Sequence, residues 1–264
     1  MGTVVKYFSE RFLTTLFPTT SANFFIITIL IIVMYAVRGG IVYIARTVEF
    51  IFYALTFLFI VLFLFTVFNI DIINIFPVTH YDFLPLVRSS FSPVGMWGAF
   101  TFIFFFGNDI NDKEHIRRFG LQAAVYQTIM AVIILLQTIG VYGHSVISRT
   151  SLPYFFVVKG ISVLDTIERI ESIVIAFWVI VDFSAICVYV YILVSIIKSL
   201  FSISETKPLA SPVIICAFII SQWIAKDKFE LEGFSDNFSF PVNATFCFVI
   251  PFIIFIIGKI RKKI

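Results

Sequence analysis

One acidic residue, Asp182, lies deep inside a long apolar stretch of the sequence. From Ile173 to Ile197 the chain is almost wholly apolar and contains no Pro or Gly. An acid at the centre of a bilayer costs about 2.5–3.5 kcal/mol on insertion scales, so such a residue faces a cavity or a partner. Asp182 is therefore a candidate ligand- or ion-binding residue, and the alternative is a buried, protonated and hydrogen-bonded Asp.

A second group of charges, Glu168, Arg169 and Glu171, precedes this stretch within one helical turn. Glu168 and Glu171 are i, i+3 neighbours on one helix face, so Arg169 does not bridge both of them along the helix. The three residues are candidates for a subunit contact or a gate. The alternative is that they only solvate the outer end of a long helix.

No catalytic constellation accompanies these charges. The sequence has no Gly-rich phosphate loop, no paired His/Cys set and no nucleophile elbow, so an enzyme is not expected. His80 and Asp82 offer two metal ligands without a third, which favours a solvated loop, and we predict neither a metal site nor a cofactor. The cysteines share no close spacing and are interpreted as small buried hydrophobes: Cys187, Cys216 and Cys247.

The elements that must position these residues are membrane-spanning helices. Hydrophobic residues make up 60% of the 264 residues and charged residues 13%, whereas a soluble domain carries about a quarter charged residues. The sequence predicts an all-α polytopic membrane protein with about seven transmembrane helices. The predicted spans are 23–45, 50–68, 94–106, 121–141, 167–199, 209–225 and 241–258.

Gly and Pro residues bear on the interpretation of three of the predicted spans. Span 94–106 is short and is broken by Gly95 and Gly98, a pattern that transporters use for discontinuous helices at binding sites. The alternative is a helix that ends early. In the first span, Gly39 and Gly40 allow a break or a close helix contact, or else mark a helix end. Pro251 predicts a bend in the last span.

The basic residues predict the orientation of the chain. The C-terminal tail is rich in Lys and Arg, so the positive-inside rule places the C-terminus in the cytoplasm. Counting back along the spans places Lys113, Arg117 and Arg118 on the same side and puts an acidic loop, 226–240, outside. Seven spans then leave Met1 outside, which an odd number of further spans before Met1 would explain.

Several motifs, taken in their order and spacing, resemble those of a known family. They are Lys6-Tyr7-Phe8, the run GGIVYIAR at 39–46, Phe76-Pro77-Val78, and the run IERIES at 167–172 followed by Trp178, with Pro153 and Gly160 before it. The chain resembles the spore germination permease family, the B subunits of nutrient germinant receptors. This family lies within the amino acid–polyamine–organocation superfamily, and the resemblance covers essentially the whole chain.

The resemblance implies a fold of ten spans, arranged as two inverted five-helix repeats. The seven predicted spans then correspond to the fourth to tenth helices, in a single permease-like domain over residues 1–264. By that pattern the chain is expected to be truncated at its N-terminus. It would lack the first two helices and most of the third.

The resemblance also implies where a ligand would bind. In this fold the ligand lies between the first and sixth helices, and the sixth corresponds to span 94–106. Family members usually carry Gly-x-Glu there, but this sequence has no acid at the matching position, so Gly98 and Thr101 are the ligand candidates. The eighth helix often helps to bind a coupling cation, and it carries Asp182 and Ser184.

The implied function is that of a membrane subunit of a nutrient germinant receptor, in the inner membrane of a bacterial spore. It would sense an amino acid or a sugar and trigger germination, with an A-type membrane subunit and a C-type lipoprotein as partners. No nucleic-acid partner is expected. One alternative is a secondary amino-acid transporter coupled to a proton or cation through Asp182, and another is a non-functional gene fragment of either kind.

Overall fold

A computed structural model of the chain describes residues 1–76, 83–87, 89, 98–107, 110, 112–150, 152–161, 170–203 and 205–261. The regular elements in these ranges are all helical, and none is a strand. Among the described residues, five helices are long and apolar enough to cross a membrane: Ile41–Asn69, Ile116–Tyr142, Ile170–Phe201, Lys207–Ile224 and Lys228–Ile260. A shorter apolar helix covers Ala22–Arg38. The prediction of an all-α polytopic membrane protein is confirmed.

The α-helices are numbered here in chain order. They are α1 Gly2–Thr15, α2 Ala22–Arg38, α3 Ile41–Thr66, α4 Ile116–Tyr142, α5 His144–Ile147, α6 Pro153–Lys159, α7 Ile170–Phe201, α8 Ala210–Ile224, α9 Lys228–Phe234, α10 Phe240–Ala244 and α11 Ile250–Ile260. Short 3-10 turns lie at Val67–Asn69, Ile72–Asn74 and Lys207–Leu209, and a longer 3-10 helix lies at Gly98–Phe106. Two π-helical segments, Ser235–Ser239 and Thr245–Val249, join α9, α10 and α11 into one continuous span.

The first predicted span, 23–45, is divided between two helices. Helix α2 ends at Arg38, and α3 begins at Ile41 and continues through the second predicted span. Gly40, with φ of +91°, lies between them. Because residues with a Cβ rarely adopt this backbone conformation, the glycine permits a turn that most other residues would strain. Of the alternatives for the Gly pair, the structure therefore has a break, with α2 ending before it and α3 beginning after it.

The predicted acidic loop at 226–240 is wrong, because most of this segment is helical. Asp227 caps α9, since its Oδ1 accepts a hydrogen bond from the Glu230 N–H at 2.9 Å. Glu230 in turn accepts one from the Lys226 N–H at 2.8 Å. This reciprocal arrangement is close to a capping box, which satisfies free N–H groups at a helix start. The acidic residues therefore begin a helix that continues into the last predicted span.

The third predicted span, 94–106, is described only from Gly98 onward. Gly98–Phe106 forms a 3-10 helix of nine residues, whereas runs longer than about 3–4 residues are uncommon. Residues 94–97 lie outside the described part of the chain, so the two alternatives for this span stay open. Residues 167–169, at the start of the fifth predicted span, also lie outside it, and α7 is described from Ile170 to Phe201.

The chain divides into two compact units. Unit 1 comprises Met1–Arg46, Leu84–Ile110 and Asp182–Ile264, and unit 2 comprises Thr47–Phe83 and Asn111–Val181. Within unit 1, α1 packs against α2, α8 and α9. The rings of Phe12 in α1 and Phe25 in α2 stack with centroids 4.7 Å apart. At the other end of α1, Gly2 lies against Ile220 and Ile224 of α8.

Unit 2 combines an apolar core with a buried polar contact. Its core cluster consists of Leu62, Val158, Ile161, Ile170 and Val174. One turn beyond Leu62, the Thr66 hydroxyl accepts a hydrogen bond from the Gln137 side-chain amide. Gln137 is fully buried, and within the described part of the chain its Oε1 has no hydrogen-bond partner.

Replacing Gln137 with Leu is expected to leave the free energy of unfolding unchanged or to raise it by up to about 1 kcal/mol. The reason is that a buried acceptor without a partner costs about 1–3 kcal/mol. The Thr66 hydroxyl keeps an acceptor, because it also donates to the Leu62 carbonyl at 2.9 Å. The measurement is the thermal unfolding midpoint in detergent.

Gln137→Ala is the matched control for this prediction. It removes the same amide but leaves a cavity, which should lower stability by about 2 kcal/mol or more. A fall in the midpoint of Gln137→Leu as large as that of the Ala variant would contradict the prediction.

Many apolar side chains on the spans are exposed on the chain surface. Soluble monomers rarely expose apolar patches larger than a few hundred Å². In a polytopic membrane protein these surfaces face lipid tails, which cover them without an aqueous contact. Prominent examples are Tyr35, Phe57, Ile129, Trp223 and Phe252.

Candidate functional site

A cavity of about 460 Å³ lies within unit 1. This volume falls in the range of about 300–1,000 Å³ that is typical of small-molecule sites. The start of α1, the 3-10 helix, α7, α8 and the span α9–α11 form its walls. Most of the wall is apolar, with side chains such as Val4, Phe102, Ile220, Ile224, Phe234 and Val242.

A few polar groups interrupt the apolar wall. Thr3, Tyr189, Asn243 and Cys247 line the cavity, and none of its described lining residues is Asp, Glu, Lys, Arg or His. The ring of Tyr189 packs edge-on against Phe102, with centroids 5.3 Å apart. An apolar pocket with a few polar groups suits a small molecule, because the polar groups can orient it by hydrogen bonds.

Gly98 lies where two walls of the cavity pack closely against each other. A Cβ at this position would lie 2.9 Å from the Cys247 Sγ and 3.0 Å from its Cβ, closer than ordinary contacts allow. The glycine therefore permits this close packing. The Thr101 hydroxyl donates to the Gly98 carbonyl at 2.6 Å. Of the two ligand candidates on this segment, Gly98 lines the cavity and Thr101 bonds to its backbone.

Asp182 forms an ion pair with Arg11 of α1. The Arg11 Nη1 lies 2.6 Å from the Asp182 Oδ2, and the side chains are 35% and 9% exposed. A second pair lies on α1, where Lys6 Nζ is 3.9 Å from Glu10 Oε1. The two bases and two acids cancel in charge. This compensation matters because an unpaired buried charge is strongly destabilising.

The ion pair lies about two helical turns from the cavity. Tyr189 follows Asp182 on α7 by seven residues, and Val4 precedes Arg11 on α1 by seven, which is about two turns and ~10 Å in each helix. Tyr189 and Val4 both line the cavity. On both α1 and α7, the residue of the ion pair and the residue that lines the cavity therefore lie on the same helix face, about two turns apart. Along these faces the two helices run in opposite directions.

The remaining predicted site residues lie apart from this arrangement. Ser184 is buried on α7. It is two positions from Asp182, so the two side chains point to different sides of the helix. Glu171 is half-buried in the first turn of α7 and belongs to unit 2. Glu168 and Arg169 lie outside the described residues.

Sequence reasoning missed two sets of residues in this region. The first is the charge group of α1: Lys6, Glu10 and Arg11. A signal for it was present, because an acid in a membrane span demands a partner and Arg11 is a base close to the first predicted span. The second set is Tyr189, Asn243 and Cys247 on the cavity wall, for which the sequence offers no spacing or charge signal.

Comparison with known proteins identifies the family. The family model described as "Spore germination protein" matches residues 1–229. This chain belongs to the spore germination protein family. The predicted resemblance is confirmed. The match covers the cavity residues of α1, the 3-10 helix, α7 and α8 in this germination protein, and it ends within α9.

Two curated relatives of this germination protein come from Bacillus subtilis (strain 168). Spore germination protein KB is 24% identical over 268 residues, which cover 98% of this chain and 71% of that protein. Putative spore germination protein YfkT is 24% identical over 192 residues, which cover 72% of this chain and 52% of that protein. No solved structure matches the chain.

Proposed function

We propose that this germination protein is a membrane subunit of a nutrient germinant receptor. It senses a small nutrient, an amino acid or a sugar, and triggers germination. The observation that carries the proposal is the cavity of about 460 Å³ in unit 1, present in a chain whose family is defined by spore germination. A nutrient that binds one conformation better than another shifts the population toward it, and this shift is the signal.

The proposed nutrient site is the cavity itself. The Tyr189 hydroxyl and the Asn243 amide orient the nutrient, and the apolar wall around Phe102 contacts its carbon skeleton. Gly98 keeps the backbone of the 3-10 helix close to the ligand. Asp182 acts through its pair with Arg11, which ties α7 to α1 two turns away from the cavity.

The same proposal includes location and partners. The chain lies in the inner membrane of the spore with its C-terminus in the cytoplasm, and it assembles with an A-type membrane subunit and a C-type lipoprotein. Glu168, Arg169 and Glu171 form a contact with such a subunit or a gate. The spans correspond to the fourth to tenth helices of a fold with two inverted five-helix repeats. Family membership and the basic C-terminal tail support these assignments.

A germination assay tests the proposal. Spores without the gene, and the same spores complemented with it, are exposed separately to a panel of amino acids and sugars, with loss of refractility as the readout. We expect the deletion to abolish the response to at least one nutrient and complementation to restore it. Identical responses in both strains to every nutrient would contradict the proposal.

Uptake into membrane vesicles separates a receptor from a transporter. A receptor binds its nutrient without accumulating it. Accumulation of a labelled amino acid that depends on a proton or cation gradient would favour the secondary transporter. Loss of this accumulation in Asp182→Asn would then identify Asp182 as the coupling residue.

A further inference from the structure

The last helical span departs from α-helical geometry at two places, each just before a proline. The segments are Ser235–Ser239, before Pro241, and Thr245–Val249, before Pro251. At the second one, the Ile250 N–H donates to the Thr245 carbonyl, five residues back.

The prolines supply a physical cause for both segments. Proline has no N–H, and its ring collides with the carbonyl four residues earlier in a regular α-helix. Those carbonyls belong to Asn237 and Cys247, the middle residue of each π segment. A wider turn at each place relieves the collision and keeps the span continuous.

The π segments direct successive turns of this span toward the cavity. The residues that line it are four to five positions apart: Phe234, Phe238, Val242, Asn243 and Cys247. In an α-helix, the step from Phe234 to Cys247 is about 3.6 turns, which would point the two side chains in nearly opposite directions. Spacings of four to five match π-helical bonding from i to i+5. Cys247 therefore reaches the wall next to Gly98 because the helix is widened.

A regular helix would present a different residue at this place. Val242 and Asn243 both line the cavity, and position 246 lies about one α-helical turn beyond the midpoint between them. Phe246 is 63% exposed on the chain surface. In a regular helix its ring would take the place of the Cys247 thiol beside Gly98 and would fill part of the cavity.

We propose that Pro241 and Pro251 are positioning residues of the cavity. Through the two π segments they direct Asn243 and Cys247 to the cavity wall and keep Phe246 out of it. The proposal rests on the cavity as the nutrient site and adds the residues that determine its shape and therefore its specificity.

A cysteine cross-link reports which residue faces Gly98. In a chain with Cys187→Ala and Cys216→Ala, the Cβ of a Gly98→Cys variant would lie 3.0 Å from the Cβ of Cys247. A disulfide needs about 3.5–4.5 Å, so a small adjustment permits the bond. Copper phenanthroline with oxygen oxidises the two thiols in native membranes, and mass spectrometry of digested protein identifies the linked peptides.

The expected result is a disulfide between positions 98 and 247. A second reporter chain carries Phe246→Cys and Cys247→Ala with the same Gly98→Cys, and we expect at least fivefold less cross-link in it. Pro251→Ala should reverse this preference, because regular helical bonding turns position 246 toward Gly98. Pro241→Ala should likewise weaken the link between 98 and 247, because it rotates everything that follows the first π segment.

Pro208→Ala is the matched control. Pro208 lies in the 3-10 turn at the start of α8, where proline fits a helix without displacing a carbonyl, so this variant should leave the cross-link preference unchanged. A retained preference for position 247 in both other proline variants would overturn the proposal. The proposal would also be overturned if the Pro241→Ala and Pro251→Ala proteins were absent from the membrane while the Pro208→Ala protein was present. The two prolines would then be needed for folding alone.

The cross-link is formed without nutrient, so its outcome does not depend on germination. If the cross-link preference changes from position 247 to position 246 as expected but the germination assay fails, the prolines shape a cavity that has another role. If germination behaves as expected but the cross-link preference does not change, the cavity is still the nutrient site, but the prolines do not determine its shape.

Discussion

Replacing Arg11 with Ala is expected to destabilise the protein by about 2–4 kcal/mol. The change removes the guanidinium 2.6 Å from the Asp182 carboxylate, whose side chain is 9% exposed. Breaking a buried pair by removing one partner costs about 3–5 kcal/mol. The 35% exposure of Arg11 lowers this cost, because solvent screens the pair. We expect the thermal midpoint in detergent to fall by about 5–15 °C.

Two controls separate the pair from a general effect of losing a charge. The double variant Arg11→Leu with Asp182→Leu should recover part of the loss. Together with the two single Leu variants it forms a double-mutant cycle, which should give a coupling of about 1 kcal/mol or more. Glu232→Gln breaks an exposed pair, with Lys228 Nζ 3.7 Å from Glu232 Oε1, and should cost less than about 0.5 kcal/mol. If Arg11→Ala and Glu232→Gln have the same thermal unfolding midpoint, the ion pair between Arg11 and Asp182 does not stabilise the protein.

Replacing Val242 with Trp is expected to raise the nutrient concentration for half-maximal germination by about 100-fold or more. The indole would occupy the cavity, which Val242 lines, and would exclude the nutrient. A 100-fold change corresponds to about 2.8 kcal/mol of lost binding. The measurement is the nutrient dose response of complemented spores, at an equal amount of protein in the membrane.

Ile254→Trp is the matched control for the cavity. It places the same indole in the same span, outside both π segments and at a side chain that is 61% exposed, and should leave the dose response unchanged. If Val242→Trp spores respond like the wild type while containing normal amounts of the protein, the cavity is not the nutrient site.

The need of Asp182 for a partner could be predicted from its depth in a span, but the identity of that partner could not. Arg11 lies 171 residues earlier in the chain, and nothing in a single sequence relates two such distant charges. The free-energy cost of an unpaired acid in a membrane span follows from the local sequence. The choice of its partner depends instead on how α1 and α7 pack. Ser184, two positions from Asp182, points elsewhere because each residue of an α-helix is rotated by about 100° from the one before it.

The last span shows a signal that was present but was interpreted differently. Asp227 followed three positions later by Glu230 is the pattern of a capped helix start. The acidic character of 226–240 instead suggested a loop. Beyond it, Pro241 and Pro251 predicted a helix start and a bend. The structure accommodates both prolines within a continuous span by widening the helix, so that Cys247 faces the cavity. A helical periodicity of about 3.6 residues per turn does not predict this direction of Cys247.

The unequal lengths of the apolar helices tie this protein to the thickness of its membrane. Helix α2 has 17 residues and α7 has 32, which correspond to about 25 Å and 48 Å. A flat hydrocarbon layer of about 30 Å matches neither, so thinning of the bilayer or snorkelling of flanking side chains accommodates the shorter helix, while the longer one tilts or extends into water. Each ångström of mismatch costs a fraction of a kcal/mol. The acyl-chain length of the surrounding lipids therefore contributes to the conformational free energy of the protein, independently of any nutrient.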